Sequence, residues 1–275
     1  GMTIPQYLMM TGQEQGPFVD ELRAGCTQAV RADLALRSVV EQEAITAEDA
    51  RYYLAGALLL LGTIAQATGR ADQAETNYRE IITKYGSSSA VQGAHVNLGK
   101  LLAAAGKPAE ALDAFSRALS GKTLADSSFV LEALVGKADA QSSLNDHAAA
   151  AVSYERCLAA SPRNEDAPRL LWKLAFASAR GKNYRKSNDA CLRLLKSDSP
   201  DLVKSRARIL LARNAEEQKN IPLAVQHYEA FVEGHPEDPA APEVLLHVGE
   251  LSADGLRDYR KGASAYESVA ARYPS

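Results

Sequence analysis

From about residue 47 onward the apolar positions fall three and four residues apart, the period of one helix face, and the helical stretches come in pairs separated by short polar or glycine-bearing turns. One pair can stand for all: Leu98-Gly99, a turn at Gly106-Lys107, a small residue at Ala111 and an aromatic at Phe115. The aromatic position recurs at Tyr78, Phe115, Tyr154, Cys191, Tyr228 and Tyr266, with intervals of 37, 39, 37, 37 and 38 residues. Four residues before each stands a small residue, Ala74, Ala111, Ala150, Ser187, Ala224 or Gly262, which lets two helices approach closely while the larger side chain fills the space beneath the next pair. Eight residues after each comes a stop: Gly86, Thr123, Pro162, Ser199 followed by Pro200, Pro236 and Pro274. Proline cannot continue a helix interior and pushes its predecessor towards extended geometry. The pattern predicts six helical hairpins at 47–86, 90–123, 127–162, 166–199, 202–236 and 240–274.

The first helix of each pair carries a matching text: Leu58, Leu61 and Gly62; His95, Leu98 and Gly99; Leu134 and Ala138; Leu171, Leu174 and Ala175; Leu211 and Ala212; Leu245, Val248 and Gly249. Residues 47 to 274 thereby resemble the tetratricopeptide repeat family, with a period longer than that family's usual ~34 residues and with leucine or alanine where it mostly carries tryptophan and tyrosine. The resemblance implies an all-α, right-handed solenoid of about six helical hairpins with an N-terminal helical extension. It implies a non-catalytic scaffold that binds a peptide segment or partner helix in a concave groove. Turns such as Tyr85-Gly86-Ser87-Ser88-Ser89 and His235-Pro236-Glu237-Asp238-Pro239 absorb the extra residues, and this variant is similar to bacterial repeat proteins of the Tol-Pal system and of outer-membrane lipoprotein assembly.

Residues 1–45 differ in kind from the solenoid of 46–275. A short helix from Ile4 to Gly12 and a long amphipathic one from Pro17 to Glu43 are predicted, and Thr46 with Glu48 and Asp49 makes a favourable helix start. Tyr7-Leu8-Met9-Met10-Thr11-Gly12, Glu21-Leu22-Arg23 and the run from Ala29 to Leu36 resemble the C-terminal arm region of bacterial trigger factor. That implies a surface cradling unfolded chains, hence an alternative role as a chaperone-like holder of unfolded polypeptides. A plain cap on the first repeat is the other reading, and both stay open.

Composition narrows the chemistry. A net charge of −3 and a pI near 6.0 supply no general attraction to nucleic acid or to anionic membranes. The longest apolar run, Leu54 to Ile64, is far short of the roughly 18 residues a membrane span needs. Cys26, Cys157 and Cys191 make no disulfide framework, and the last two fall at helix packing positions. A cytoplasmic setting is expected; a periplasmic protein whose leader has been removed stays open, because a glycine precedes Met2. At the other end, Tyr266 and Val269 are expected to lie partly uncovered, from a truncation or for self-association through the last repeat.

No phosphate-binding glycine loop and no zinc-ligand spacing occurs, the five histidines falling singly along the chain. No metal, cofactor or catalytic residue is expected. In the resembled family, positions two, five, six, nine, twelve and thirteen of each repeat face the groove. This points to Asn97 and Lys100, to Glu132 and Asp139, to Arg169, Trp172, Lys173, Phe176 and Arg180, and to Arg206 and Arg213. The only tryptophan lies four residues before a phenylalanine, among five basic residues, a composition suited to anchoring a partner segment that carries carboxylates. The opposing reading makes Trp172 a filler between repeats with the arginines merely solvating it. The carboxylate clamp by which some of the family hold chaperone tails is not expected. Only Asn97 fits it; Leu59 and Thr63 in the first repeat, and Glu132 and Gly136 in the third, do not.

Overall fold

A computed structural model describes residues 47–120, 127–160 and 166–273. The two N-terminal helices, the Thr46 cap and the helix stops at Thr123, Pro162 and Pro274 lie outside these. Among the described residues there are twelve α-helices and no strand. The hairpins are α1 (Ala47–Ala67) with α2 (Ala71–Lys84), α3 (Ala90–Ala104) with α4 (Pro108–Ser120), and α5 (Ser127–Ser143) with α6 (His147–Ala160). They continue as α7 (Ala167–Arg180) with α8 (Tyr184–Lys196), α9 (Asp201–Glu217) with α10 (Ile221–Gly234), and α11 (Ala241–Glu250) with α12 (Tyr259–Arg272). The described residues divide into two compact units, meeting in sequence between Ala140 and Gln141.

The turns inside the hairpins share one device. The residue seven places beyond the small first-helix residue takes a left-handed backbone: Gly69 (φ 75°), Gly106 (φ 73°), Asn145 (φ 61°), Lys182 (φ 58°) and Lys219 (φ 59°). The next N–H then returns to a carbonyl five residues back, as from Arg70 to Ala65 (2.8 Å) and from Asn220 to Ala215 (2.8 Å), closing the helix end. Where the following residue is Asp146, Asn183, Asn220 or Asp258, its side chain accepts from the backbone N–H three residues on and starts the second helix.

The sixth hairpin departs from the expected regular helix. Leu251–Gly255 forms a π turn, closed by the Leu256 N–H on the Leu251 carbonyl (3.1 Å), and it takes up one extra residue. Gly249 therefore precedes Tyr266 by 17 residues where Gly62 precedes Tyr78 by 16, and the left-handed turn falls at Arg257 (φ 57°). This places the 38-residue interval of the last repeat at one turn of helix.

The first unit's core shows why small residues recur. A Cβ on Gly62 would lie 2.5 Å from the Tyr78 ring and one on Gly99 2.7 Å from the Phe115 ring. One on Gly136, in the next repeat, would lie 2.3 Å from Phe115. Each aromatic thus lies against a glycine of its own hairpin, and Phe115 is held between two repeats at 1% exposure. Tyr78, Ile81, Val96, Leu98 and Leu102 complete this core. In the second unit Val225, Tyr228, Phe231, Leu245 and Val248 do the same between α9 and α12. Cys157 and Cys191 are fully buried, as expected, and burial pushes the Cys191 thiol up to about 12.

Second helices of successive repeats are joined by ion pairs at one register. Arg79 approaches Glu110 (3.9 Å) in the first unit; Glu155 holds Lys186 (2.8 Å) and Glu229 holds Lys261 (2.9 Å) in the second.

Candidate functional site

In the first unit the sequence-predicted residues are engaged with their neighbours. Lys100 on α3 meets Glu132 on α5 at 2.5 Å, so its charge is matched locally. Asn97 is half-buried and bonds the Tyr78 hydroxyl, which also donates to Gln66 (3.0 Å). Burial raises the Tyr78 pKa, partly offset by hydrogen bonds from Thr63 and Asn97. Asp139 is half-buried on α5.

The remaining sequence-predicted residues lie in the second unit. On α7, Trp172 and Phe176 lie one turn apart with ring centroids at 6.3 Å and an interplanar angle of 36°, and Phe176 is 46% exposed. Arg169, in the first turn, pairs with Asp166 (3.1 Å), and exposed Arg180 ends the helix. Lys173 lies over the Tyr154 ring, 5.9 Å from its centroid. On α9, which packs against α7, Arg206 is exposed and Arg213 is exposed but reaches the Tyr228 hydroxyl. α7 thus carries an aromatic pair with a cation at each end, Arg169 being paired with Asp166, and α9 carries Arg206 and Arg213.

A second group on this face has no local sequence signal. Glu216 of α9 accepts from the Tyr228 hydroxyl (3.1 Å) and contacts His247 of α11 (3.1 Å), whose other ring nitrogen meets Glu250 (3.1 Å). Burial, then the neighbouring Glu216, pushes the Tyr228 hydroxyl up to about 12. Only the repeat register would have found these residues, since Glu216 and His247 stand 31 apart at positions twelve and six of adjacent repeats. The same sixth position carries Asn97 against Tyr78 and Lys173 against Tyr154.

Between second helices of the first unit runs an outer cleft of about 560 Å³, floored by His95, Leu98 and Leu102 and rimmed by Arg79, Glu110 and Arg117. His95 stands where four other repeats carry Leu58, Leu134, Leu171 or Leu245. Burial first, then the Arg117 charge, lowers its pKa. Among the described residues no cluster of three or more His, Cys, Asp or Glu could hold a metal ion, and no helix is long and apolar enough to cross a membrane.

Family models described as tetratricopeptide repeat match residues 59–128 and 131–164. The hairpins they cover are tetratricopeptide repeats. The remaining hairpins keep the small-residue register, with an aromatic at its place in all but the fourth, where Cys191 stands. Among solved structures, a tetratricopeptide repeat protein from Parabacteroides merdae is 18% identical, with 81% of each chain covered and a TM-score of 0.54. A MamA protein is 16% identical over 67% of this chain and 93% of its own, with a TM-score of 0.54. At these identities the likeness concerns the fold. No curated protein matches the chain.

Proposed function

We propose that the protein is a non-catalytic interaction scaffold whose second unit binds a peptide segment of a partner protein on its first-helix face. The carrying observation is the Trp172–Phe176 pair, with Phe176 46% exposed, between Arg169 and Arg180 on α7, with exposed Arg206 and Arg213 on α9, which packs against α7. A buried-on-binding aromatic anchor supplies affinity, and arginines select carboxylates by bidentate hydrogen bonding. The preferred partner segment is therefore one large apolar side chain flanked by Asp or Glu. Tetratricopeptide hairpins generally mediate protein–protein contact, which agrees with this reading. On the first unit, taken by itself, Asn97, Lys100 and Asp139 are proposed as further partner contacts that offer position and selectivity more than charge, given the Lys100–Glu132 pair. The Tol-Pal-like flavour of the repeats makes a bacterial envelope assembly one home for such a scaffold.

The test is affinity capture followed by mass spectrometry on wild type, Trp172→Ala and Arg206→Glu. A partner retained by wild type and lost by both variants supports the reading; equal retention by all three removes it. The alternative role, holding unfolded chains, draws on the trigger-factor-like text of residues 1–45, outside the described residues. It requires suppression of aggregation for several unrelated proteins, whereas the scaffold gives none. Self-association through the last repeat has one supporting observation, the 42% exposure of Tyr266, and sedimentation at rising concentration tests it.

A further inference from the structure

We propose that His247 is a proton-operated clasp. Its imidazolium pairs with Glu216 across the joint between the first helices of the fifth and sixth repeats and with Glu250 on its own helix; loss of one proton frees Glu250 and leaves an uncharged ring to hold Glu216, which weakens the joint. Nε2 lies 3.1 Å from Glu216 on α9, and Nδ1 lies 3.1 Å from Glu250 on α11. Ionised carboxylates only accept hydrogen bonds, and a neutral imidazole carries a single N–H. Both contacts are hydrogen bonds only when the ring holds two protons. The neutral ring must turn a lone pair towards one carboxylate, and Glu250, 63% exposed against 33% for Glu216, is the one that leaves.

The surroundings tie this proton to helix packing. The Glu216 oxygen that meets His247 also accepts from the Tyr228 hydroxyl on α10, and the Tyr228 and His247 rings meet edge-on at 5.4 Å and 79°. The cluster thus spans α9, α10 and α11. Facing charges are Glu216 and Arg213 from α9, the Tyr228 hydroxyl from α10 and Glu250 from α11. On the far side, exposed Asp254 belongs to the π turn, and Lys261 of α12 is held by Glu229. Of these, Glu216 and Glu250 are the charges in contact with the ring. The stack itself does not need a histidine here, because the first and fifth repeats carry Leu60 and Leu210 at this position.

Burial opposes the charge, but the hydrogen bonds and charges of Glu216 and Glu250 outweigh it, so His247 titrates above the ordinary value of 6.5. A raised value means the clasp is fully formed below about pH 6.5 and is lost as pH rises through the higher folded value. The cluster of His247, Glu216 and Glu250 then passes from a charge of −1 to −2, beside Arg213 of the peptide-binding face. The clasp stands whether or not that face binds a peptide.

The test follows the imidazole C–H signals of the full-length protein by NMR from about pH 5 to about pH 9. His247 is assigned by its absence in His247→Leu, or by its shift in Glu216→Gln and Glu250→Gln if the leucine variant fails to fold. Amide exchange in α11 is measured over the same range and corrected for intrinsic rate. The expected result is a His247 midpoint above 6.5, lowered in both glutamine variants. The opening equilibrium of α11 should rise by the matching factor, tenfold for each unit of displacement. A midpoint at or below 6.5, or corrected protection in α11 that does not change with pH, overturns the proposal.

Discussion

The wedge of Phe115 between two repeats makes one substitution carry opposite signs at two glycines. On Gly136→Ala the new Cβ would meet ring atoms of Phe115 at 2.3, 2.5 and 2.6 Å, against a comfortable carbon contact of about 3.5 Å or more. The ring must retreat by about 1 Å, yet it is 1% exposed and its retreat is limited by α3, where a Cβ on Gly99 would already stand at 2.7 Å. Overpacking of this kind costs about 1–3 kcal/mol, and the short contacts place it at the upper end. Replacing glycine by alanine inside a helix returns about 1 kcal/mol. The net expectation is a loss of about 2 kcal/mol, or about 1 M in the urea midpoint for a slope near 2 kcal/mol/M. At Gly56 nothing lies within 4 Å of the added carbon, so Gly56→Ala in α1 should gain about 1 kcal/mol. Urea unfolding followed by far-UV circular dichroism measures both. Adding Phe115→Leu to Gly136→Ala should cost less than the two changes separately, because the clash is gone. If Gly136→Ala unfolds at the same urea concentration as Gly56→Ala, Phe115 is not clamped between repeats.

Three further outcomes follow from single residues. Lys219 holds φ at 59°, where a side chain costs about 1–2 kcal/mol, so Lys219→Gly should raise the thermal midpoint by a few degrees, and a fall would mean the lysine makes a compensating contact. His95 has a lowered pKa, so its contribution is present above about pH 6.5 and is lost as pH falls towards the folded value. His95→Leu should therefore flatten the drop in urea midpoint between about pH 7 and pH 5, which an unchanged slope would contradict. Cys191, buried with its thiol pushed up to about 12, should escape iodoacetamide in the native protein at about pH 8, as read by peptide mass mapping; rapid labelling would show that α8 opens readily.

Much of the fold was legible because the repeat imposes the same packing problem on each hairpin. The intervals between Tyr78 and Tyr266 located the hairpins, and the first-helix text included Gly62 and Gly99, which the structure sets against Tyr78 and Phe115. Other features stayed hidden because they depend on geometry that composition does not encode. The 38-residue interval before Tyr266 was visible, but nothing in Leu251-Ser252-Ala253-Asp254-Gly255 announces a π turn. Lys182, Lys219 and Arg257 occupy turn positions that Gly69 and Gly106 fill elsewhere, so a glycine search misses them. The ion pairs between second helices reverse sign, Arg79–Glu110 against Glu155–Lys186, which disguises their common register. At the site, helix spacing was enough to bring Trp172 to Phe176. The partners of Lys100 and His247 lie 32 and 31 residues away, and they required the stacked helices to be seen.

Selection of a displayed peptide library on the wild-type protein and on Trp172→Ala tests the scaffold reading most directly. The account predicts that peptides enriched on wild type carry a large apolar residue beside Asp or Glu. It predicts that they lose at least about tenfold in affinity on Trp172→Ala at an unchanged melting temperature, as a central anchor worth about 1.4 kcal/mol or more requires. Enriched peptides without acidic residues, or peptides that bind Trp172→Ala as tightly as wild type, would contradict it.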